Sequence, residues 1–196
     1  MTDNTTDQRP DLLYVQMLGD LCLFYNGKTL SGQKVRAKQV WALLEFMLVN
    51  RNQENAPDRL MEALWEENQA EDPANALNNL AYRLRTTLKN SLGLPAGEYI
   101  LFEHGGYSWN MDAPGVFDVD ILEKAFNLAK RPESSDEERY ARYLQVIKLY
   151  KGNYMPQSSY KPWVQAKAVY YQRLYMKAVE TLCPMMLARE EYVEAE

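Results

Sequence analysis

The hydrophobic period of this chain changes at Lys34, and that change limits the folds open to it. Before it, "LLYVQMLGDLCL", Leu12 to Leu23, places Val15, Met17, Leu21 and Leu23 at alternate positions, the pattern of half-buried strands. Gly19-Asp20 reads as a turn or a bulge within that run. Asn26-Gly27 follows, and its tolerance of positive φ at two successive residues is what a type I′ hairpin turn requires. After Lys34 the period is that of a helix. In "KVRAKQVWALLEFMLVN", Val40, Leu43, Leu44, Met47 and Leu48 fall on one face. A sheet-first, helix-second order is therefore expected.

Two more helices come next. Pro57 suits the first turn of a helix from Asp58 to Glu66, with Leu60, Met61, Leu64 and Trp65 turned inward. Asp72-Pro73 marks another start, and the helix runs to Ser91, where Gly93 and Pro95 stop it. "YILFEHGGYSWNM", Tyr99 to Met111, is a second hairpin about Gly105-Gly106. Asp112-Ala-Pro-Gly115 is a boundary. Beyond it the pattern is helical: Phe117 to Lys130, Arg139 to Tyr150 behind a Ser135 or Asp136 cap, and Trp163 to Leu187. Pro184 should kink or break the last of these. Their pairing suggests a helical repeat array, although no clean sequence repeat accompanies it. Residues 1 to 11 read as a disordered leader, and "REEYVEAE" reads as the start of a further helix, so a truncated helical domain is expected.

The residues argue against several kinds of chemistry. His104 is the single histidine, sits in a turn and has no nucleophile motif near it, so no triad forms. "NGKT" lacks the glycine a phosphate loop needs, since Cys22 stands in its place. One His with two distant cysteines assembles no metal site, and Cys22 and Cys183 are expected to be buried thiols of a reducing cytoplasm. Glu66-Glu67 and Glu137-Glu138 read as solvated helix ends. No apolar run approaches the ~20 residues of a membrane span, and the polar N-terminus is no signal peptide. An enzyme, a cofactor and a membrane partner are not expected.

The third helix stands apart. "NALNNLAYRLRTTLKN" has no carboxylate in a chain whose net charge is -5. Leu77, Ala81, Leu84 and Leu88 form a buried seam, extended by Leu80. The opposite side carries Asn75, Asn78, Asn79, Tyr82, Arg83 and Thr86, with Arg85 and Lys89 at the flanks. Asn pairs with adenine and Arg with guanine in a major groove. A carboxylate on that face would be repelled by phosphate. The bland alternative is a polar, solvated helix face. Position decides between them: three helices and then a hairpin is the order of a winged helix-turn-helix, whose third helix enters the groove.

With that order in place, the sequence resembles the SARP-type bacterial transcriptional activators, which join an OmpR-type winged helix to a helical bacterial transcriptional activator domain, the BTAD. "VQMLGDLCLFYNGKTL" resembles the family's opening sheet, "RAKQVWALLEFML" and "RLMEALW" its first two helices, and "NALNNLAYRLRTTL" its recognition helix. "HGGYSW" resembles its wing, and "FDVDILEKAFNLA" with "YKGNYMPQSSYKPWVQAKAVYYQRLYMKAVETL" resembles the BTAD, whose helices stack in tetratricopeptide-like fashion.

The resemblance implies an α+β chain. Residues 12–112 would be the winged-helix DNA-binding domain and 116–196 the tetratricopeptide-like BTAD. It implies a cytoplasmic, nucleoid-associated transcriptional activator that binds double-stranded promoter DNA, often as a homodimer, and recruits RNA polymerase. Asn75, Asn78, Asn79, Tyr82 and Thr86 would face bases. Arg83, Arg85 and Lys89 would hold phosphates or bases, and Tyr107 and Ser108 would lie on the wing. Tyr82 and Thr86 depart from the family's pattern of a small polar residue and a second arginine. The wing tip carries Glu103 and His104 instead of Arg or Lys. The competing reading is a protein-interaction module that keeps the winged fold without binding DNA. The BTAD aromatics Tyr154, Tyr160, Trp163, Tyr170, Tyr171 and Tyr175 would form either the packing core between helices or a partner groove.

Overall fold

A computed structural model describes residues 12–65, 72–103 and 105–189. The expected leader, Glu66, Glu67, His104 and the last seven residues lie outside the described residues. The architecture is α+β: a small sheet near the N-terminus followed by helices. Among the described residues the chain divides into two compact units, 12–15 with those of 22–115, and 16–21 with 116–189.

The first unit begins with β1 (Leu13–Gln16), β2 (Cys22–Tyr25) and β3 (Lys28–Ser31). β2 and β3 pair antiparallel from Cys22 opposite Ser31 to Tyr25 opposite Lys28. Asn26 and Gly27 close the hairpin at φ 47° and 72°, the double positive φ that the dipeptide suits. Alternation puts Leu13, Val15, Leu23, Tyr25 and Leu30 into the core. Cys22 takes the other parity of β2 and is half-buried, as is Cys183, so the expectation of buried thiols is corrected.

Three helices cover the core: α1 (Lys38–Val49), α2 (Pro57–Leu64) and α3 (Pro73–Leu92). The predicted α1 seam is buried throughout, with Phe46 beside it. In α2 only Leu60 is fully buried; Met61 and Leu64, and Trp65 just past its end, are half-buried, so that helix packs along a narrower face than its sequence suggests. Asp72 caps α3, its side chain accepting from the Asn75 N–H at 3.0 Å. Gly93 ends it at φ 77°, a left-handed C-cap that glycine adopts without strain. Each fully buried leucine of the α1–α3 interface contributes about 1.5–3 kcal/mol relative to an exposed one.

A single turn, α4 (Ala96–Tyr99), leads into β4 (Ile100–Glu103) and β5 (Gly106–Trp109), which pair antiparallel as the second hairpin. The Tyr99 hydroxyl donates to Pro114 O at 2.8 Å, which holds the end of the unit against the hairpin's base.

The second unit contains most of β6 (Gly115–Phe117) and the helices α5 (Asp118–Ala129), α6 (Asp136–Leu149) and α7 (Pro162–Ala188). The residues around Phe117, read as the start of a helix, are extended first. Residues 16–21 are bound into this unit by Asp118, whose carboxylate accepts from Met17 N–H at 2.9 Å and Leu18 N–H at 2.8 Å. Ser135 caps α6 in a full capping box with Glu138, so the helix starts three residues before the predicted Arg139. The hydrogen bond from Ser135 N–H, and then from its hydroxyl, holds the Glu138 carboxyl below the usual range.

α7 runs through Pro184 without breaking. Ala178, Leu182 and Met186 are all buried there, and this packing outweighs the hydrogen bond that proline cannot make. The aromatics divide. Tyr154 and Tyr171 are buried and stacked at 5.1 Å, and Tyr150 stacks on Tyr175 at 4.3 Å. Trp163 is half-buried, whereas Tyr160 and Tyr170 are exposed.

Candidate nucleic-acid interface

The polar face of α3 follows from its sequence turned about the axis. At about 100° per residue, Asn75, Asn79, Tyr82, Thr86 and Lys89 fall within about 80° of arc. Asn75, Asn78, Asn79, Tyr82, Arg83 and Lys89 are exposed, and Arg85 and Thr86 half-buried. Leu77, Leu80, Ala81, Leu84 and Leu88 on the other side are buried. Tyr82 is 69% exposed, a large aromatic ring standing free of the core. No Asp or Glu occurs from Pro73 to Leu92. The face thus offers amide, hydroxyl and cationic groups with no anion to oppose a phosphate.

The two arginines differ in what they do. Arg83 is exposed and, among the described residues, makes no ion pair or side-chain hydrogen bond. Arg85 turns to the second hairpin. Its Nη2 donates to Ile100 O at 2.8 Å and its Nε to the same oxygen at 3.3 Å. Its guanidinium lies 5.9 Å from the centre of the Tyr107 ring. Arg85 therefore fastens α3 to β4, and its outward reach is limited.

Tyr107 and Ser108 leave opposite faces of β5, as neighbours in a strand must. Tyr107 is buried against α3, with its hydroxyl donating to Asn78 Oδ1 at 2.7 Å. Its pKa is raised by burial, against a smaller lowering by Arg85, so the phenol keeps its proton at neutral pH. Tyr107, expected on the wing as a DNA-binding residue, lies in the β4–β5 hairpin with its side chain turned inward against α3. Ser108 is half-buried and lines an open groove with Arg51, Glu54, Glu103 and Met111. The two residues do not form one surface.

Sequence reasoning missed Asn55. Its backbone pairs with that of Tyr107 in both directions, at 2.8 and 3.0 Å, tying the hairpin to the loop between α1 and α2. Gly106 permits the approach, since a Cβ there would lie 2.8 Å from Glu54 Cγ and 3.2 Å from Asn55 O. Phe102, across the hairpin from Tyr107, is 53% exposed and was not singled out either. A glycine beside a strand was the available signal for the first; the second follows only from strand parity once the register is known.

Among the described residues no His, Cys, Asp or Glu group has the arrangement of a metal site, and no helix is long and apolar enough to cross a membrane. No family model matches the chain, and no curated protein matches it. Among solved structures it is similar to Mycobacterium tuberculosis EmbR, determined in complex with a low affinity phosphopeptide. The two are 16% identical, and the likeness covers 95% of this chain with a TM-score of 0.68. The chain spans about half the length of that EmbR chain, 50% of it. At this identity the likeness is one of fold: a small N-terminal sheet followed by helices, in the arrangement found in EmbR.

Proposed function

We propose that the chain is a sequence-specific DNA-binding transcriptional regulator whose α3 enters the major groove of promoter DNA. The observation that carries the reading is the exposed, carboxylate-free face of α3, braced from behind by the second hairpin. The fold likeness to EmbR, a SARP-family regulator, supports it, and a regulator rather than an enzyme is the consistent reading. In this reading residues 12–112 form a winged helix-turn-helix with β4–β5 as the wing. Residues 116–196 form a tetratricopeptide-like BTAD that contacts RNA polymerase, and the protein works in the cytoplasm as a homodimer on DNA. Asn75, Asn78, Asn79, Tyr82 and Thr86 address bases, and Arg83 and Lys89 address phosphate or guanine. Arg85 and Tyr107 hold the helix in place, and Ser108 belongs to the hairpin's other face.

The test is selection of a random-sequence duplex pool by the whole chain, followed by fluorescence anisotropy on the enriched duplex at rising salt. Enrichment of one sequence, with affinity falling steeply as salt rises, is expected. Affinity flat across that salt range, or no enrichment, would favour the protein-interaction reading instead.

A further inference from the structure

The longest carboxylate-free run in the chain lies outside α3. Residues 139–179 contain eight Lys or Arg and no Asp or Glu, in a chain whose net charge is -5. Charge is divided unevenly along the sequence. Residues 22–115, which hold α3, carry nine Lys or Arg against eleven Asp or Glu, whereas residues 116–189 carry twelve against eight. The basic run forms most of α6, the loop after it and the first part of α7.

The fold gathers four of these cations at one level of the α6–α7 hairpin. Tyr150, at the end of α6, stacks on Tyr175 of α7 at 4.3 Å. Lys148 and Lys151 flank Tyr150, and Arg173 and Lys177 flank Tyr175. Each is at most two residues, about 3 Å of helix rise, from the stack. They are turned away from the packed side. Lys148 stands about 140–160° around α6 from the buried Tyr143 and Val146, and Arg173 about 140–180° around α7 from the buried Tyr171, Ala178 and Leu182. All four are exposed. Lys177 meets Glu180 at 3.3 Å. Lys148, Lys151 and Arg173 make no ion pair or side-chain hydrogen bond among the described residues. Like charges gathered at one level repel one another, so folding stability supplies no reason for the cluster, whereas a polyanionic ligand does.

We infer that the outer side of the α6–α7 hairpin is a second, sequence-independent contact to double-stranded DNA, in which Lys148, Lys151 and Arg173 neutralise phosphates while α3 reads bases. The inference rests on the DNA-binding reading above and adds a surface to it. Residues 22–115 are net acidic, and of the α3 cations Arg85 is already engaged with the Ile100 carbonyl. Arg83 and Lys89 then face a duplex that carries one charge per about 1.7 Å of its axis. The electrostatic share of binding needs more cations than α3 supplies, and the α6–α7 hairpin holds them. They are spread over two helices instead of converging on a pocket, which suits an extended row of phosphates better than a single carboxylate.

The test uses the whole chain and fluorescence anisotropy at rising salt, on the enriched duplex and on a scrambled duplex of equal length. The triple variant Lys148→Gln, Lys151→Gln, Arg173→Gln is compared with the charge-keeping Lys148→Arg, Lys151→Arg. The triple variant should reduce the salt slope by about two to three units and weaken both duplexes on the order of tenfold at moderate salt. Its base profile from a random-sequence pool should match the wild type, and the arginine variant should keep the full slope. An unchanged slope in the triple variant, with a sequence still enriched, overturns the inference, leaves the α3 reading standing and gives the surface to an acidic protein partner. A loss confined to the enriched duplex, or a changed base profile, also overturns it, because phosphate contacts carry no sequence information. A wild type that binds neither duplex overturns both readings.

Discussion

Replacing Arg85 and Arg83 one at a time separates two arginines that flank Leu84 and look alike in the sequence. Arg85→Met removes a paired hydrogen bond, 2.8 and 3.3 Å, from a guanidinium to the Ile100 carbonyl. Hydrogen bonds to charged groups contribute about 1.5–3 kcal/mol, and the side chain's partial exposure places this one toward the lower end. Loss of the guanidinium over the Tyr107 ring adds about 0.5 kcal/mol. Methionine retains most of the apolar stem, so the packing loss is small. The expected cost is about 2 kcal/mol. With a urea slope of about 2 kcal/mol per molar, the midpoint falls by about 1 M. Arg83→Ala removes an exposed cation and should change stability by no more than about 0.5 kcal/mol. Its effect belongs to binding: over tenfold weaker on the enriched duplex, with the salt slope reduced by about one. Urea denaturation followed by tryptophan fluorescence, beside anisotropy, measures both. Equal stability losses in the two variants, or an Arg85→Met protein as stable as the wild type, would refute this division of labour.

Three further outcomes follow from packing and capping. Gly106→Ala should cost about 1–3 kcal/mol in urea denaturation, because the new Cβ meets the Asn55 carbonyl, a backbone atom that cannot swing aside. Asp118→Asn should destabilise the second unit by about 2 kcal/mol or more, since an amide cannot accept equally from the Met17, Leu18 and Val119 N–H groups. Hydrogen exchange at residues 16–21 should then rise selectively. Glu138 titrates below its ordinary 4.5, so the stability it contributes is present above the unfolded value and is lost as pH falls through the lower folded one. Ser135→Ala should raise the Glu138 pKa only part of the way, as read by NMR, because the larger contribution comes from the Ser135 backbone N–H, which the variant keeps.

Much of the architecture was legible because its signals are local. Asn26-Gly27 specifies its own turn, Asp72-Pro73 and Gly93 bracket α3, and a leucine stripe at helical spacing finds the core whatever it packs against. The polar face of α3 was legible for the same reason, since helical geometry alone sorts Asn75, Asn79, Tyr82 and Lys89 to one side. Pairings between distant residues were not legible. No local rule marks Met17 and Leu18 as partners of Asp118, about a hundred positions away. None distinguishes Arg83 from Arg85 until the Ile100 carbonyl is in place. Strand parity sends Tyr107 and Ser108 apart, but which of them meets α3 depends on how the hairpin docks on Asn55. Sequence by itself determined the order of elements and the chemistry carried by α3, because these rest on backbone preference and periodicity. The tertiary structure decided which of those groups remain available and which are engaged in holding the helix, because hydrogen-bond partners exist only once distant segments meet.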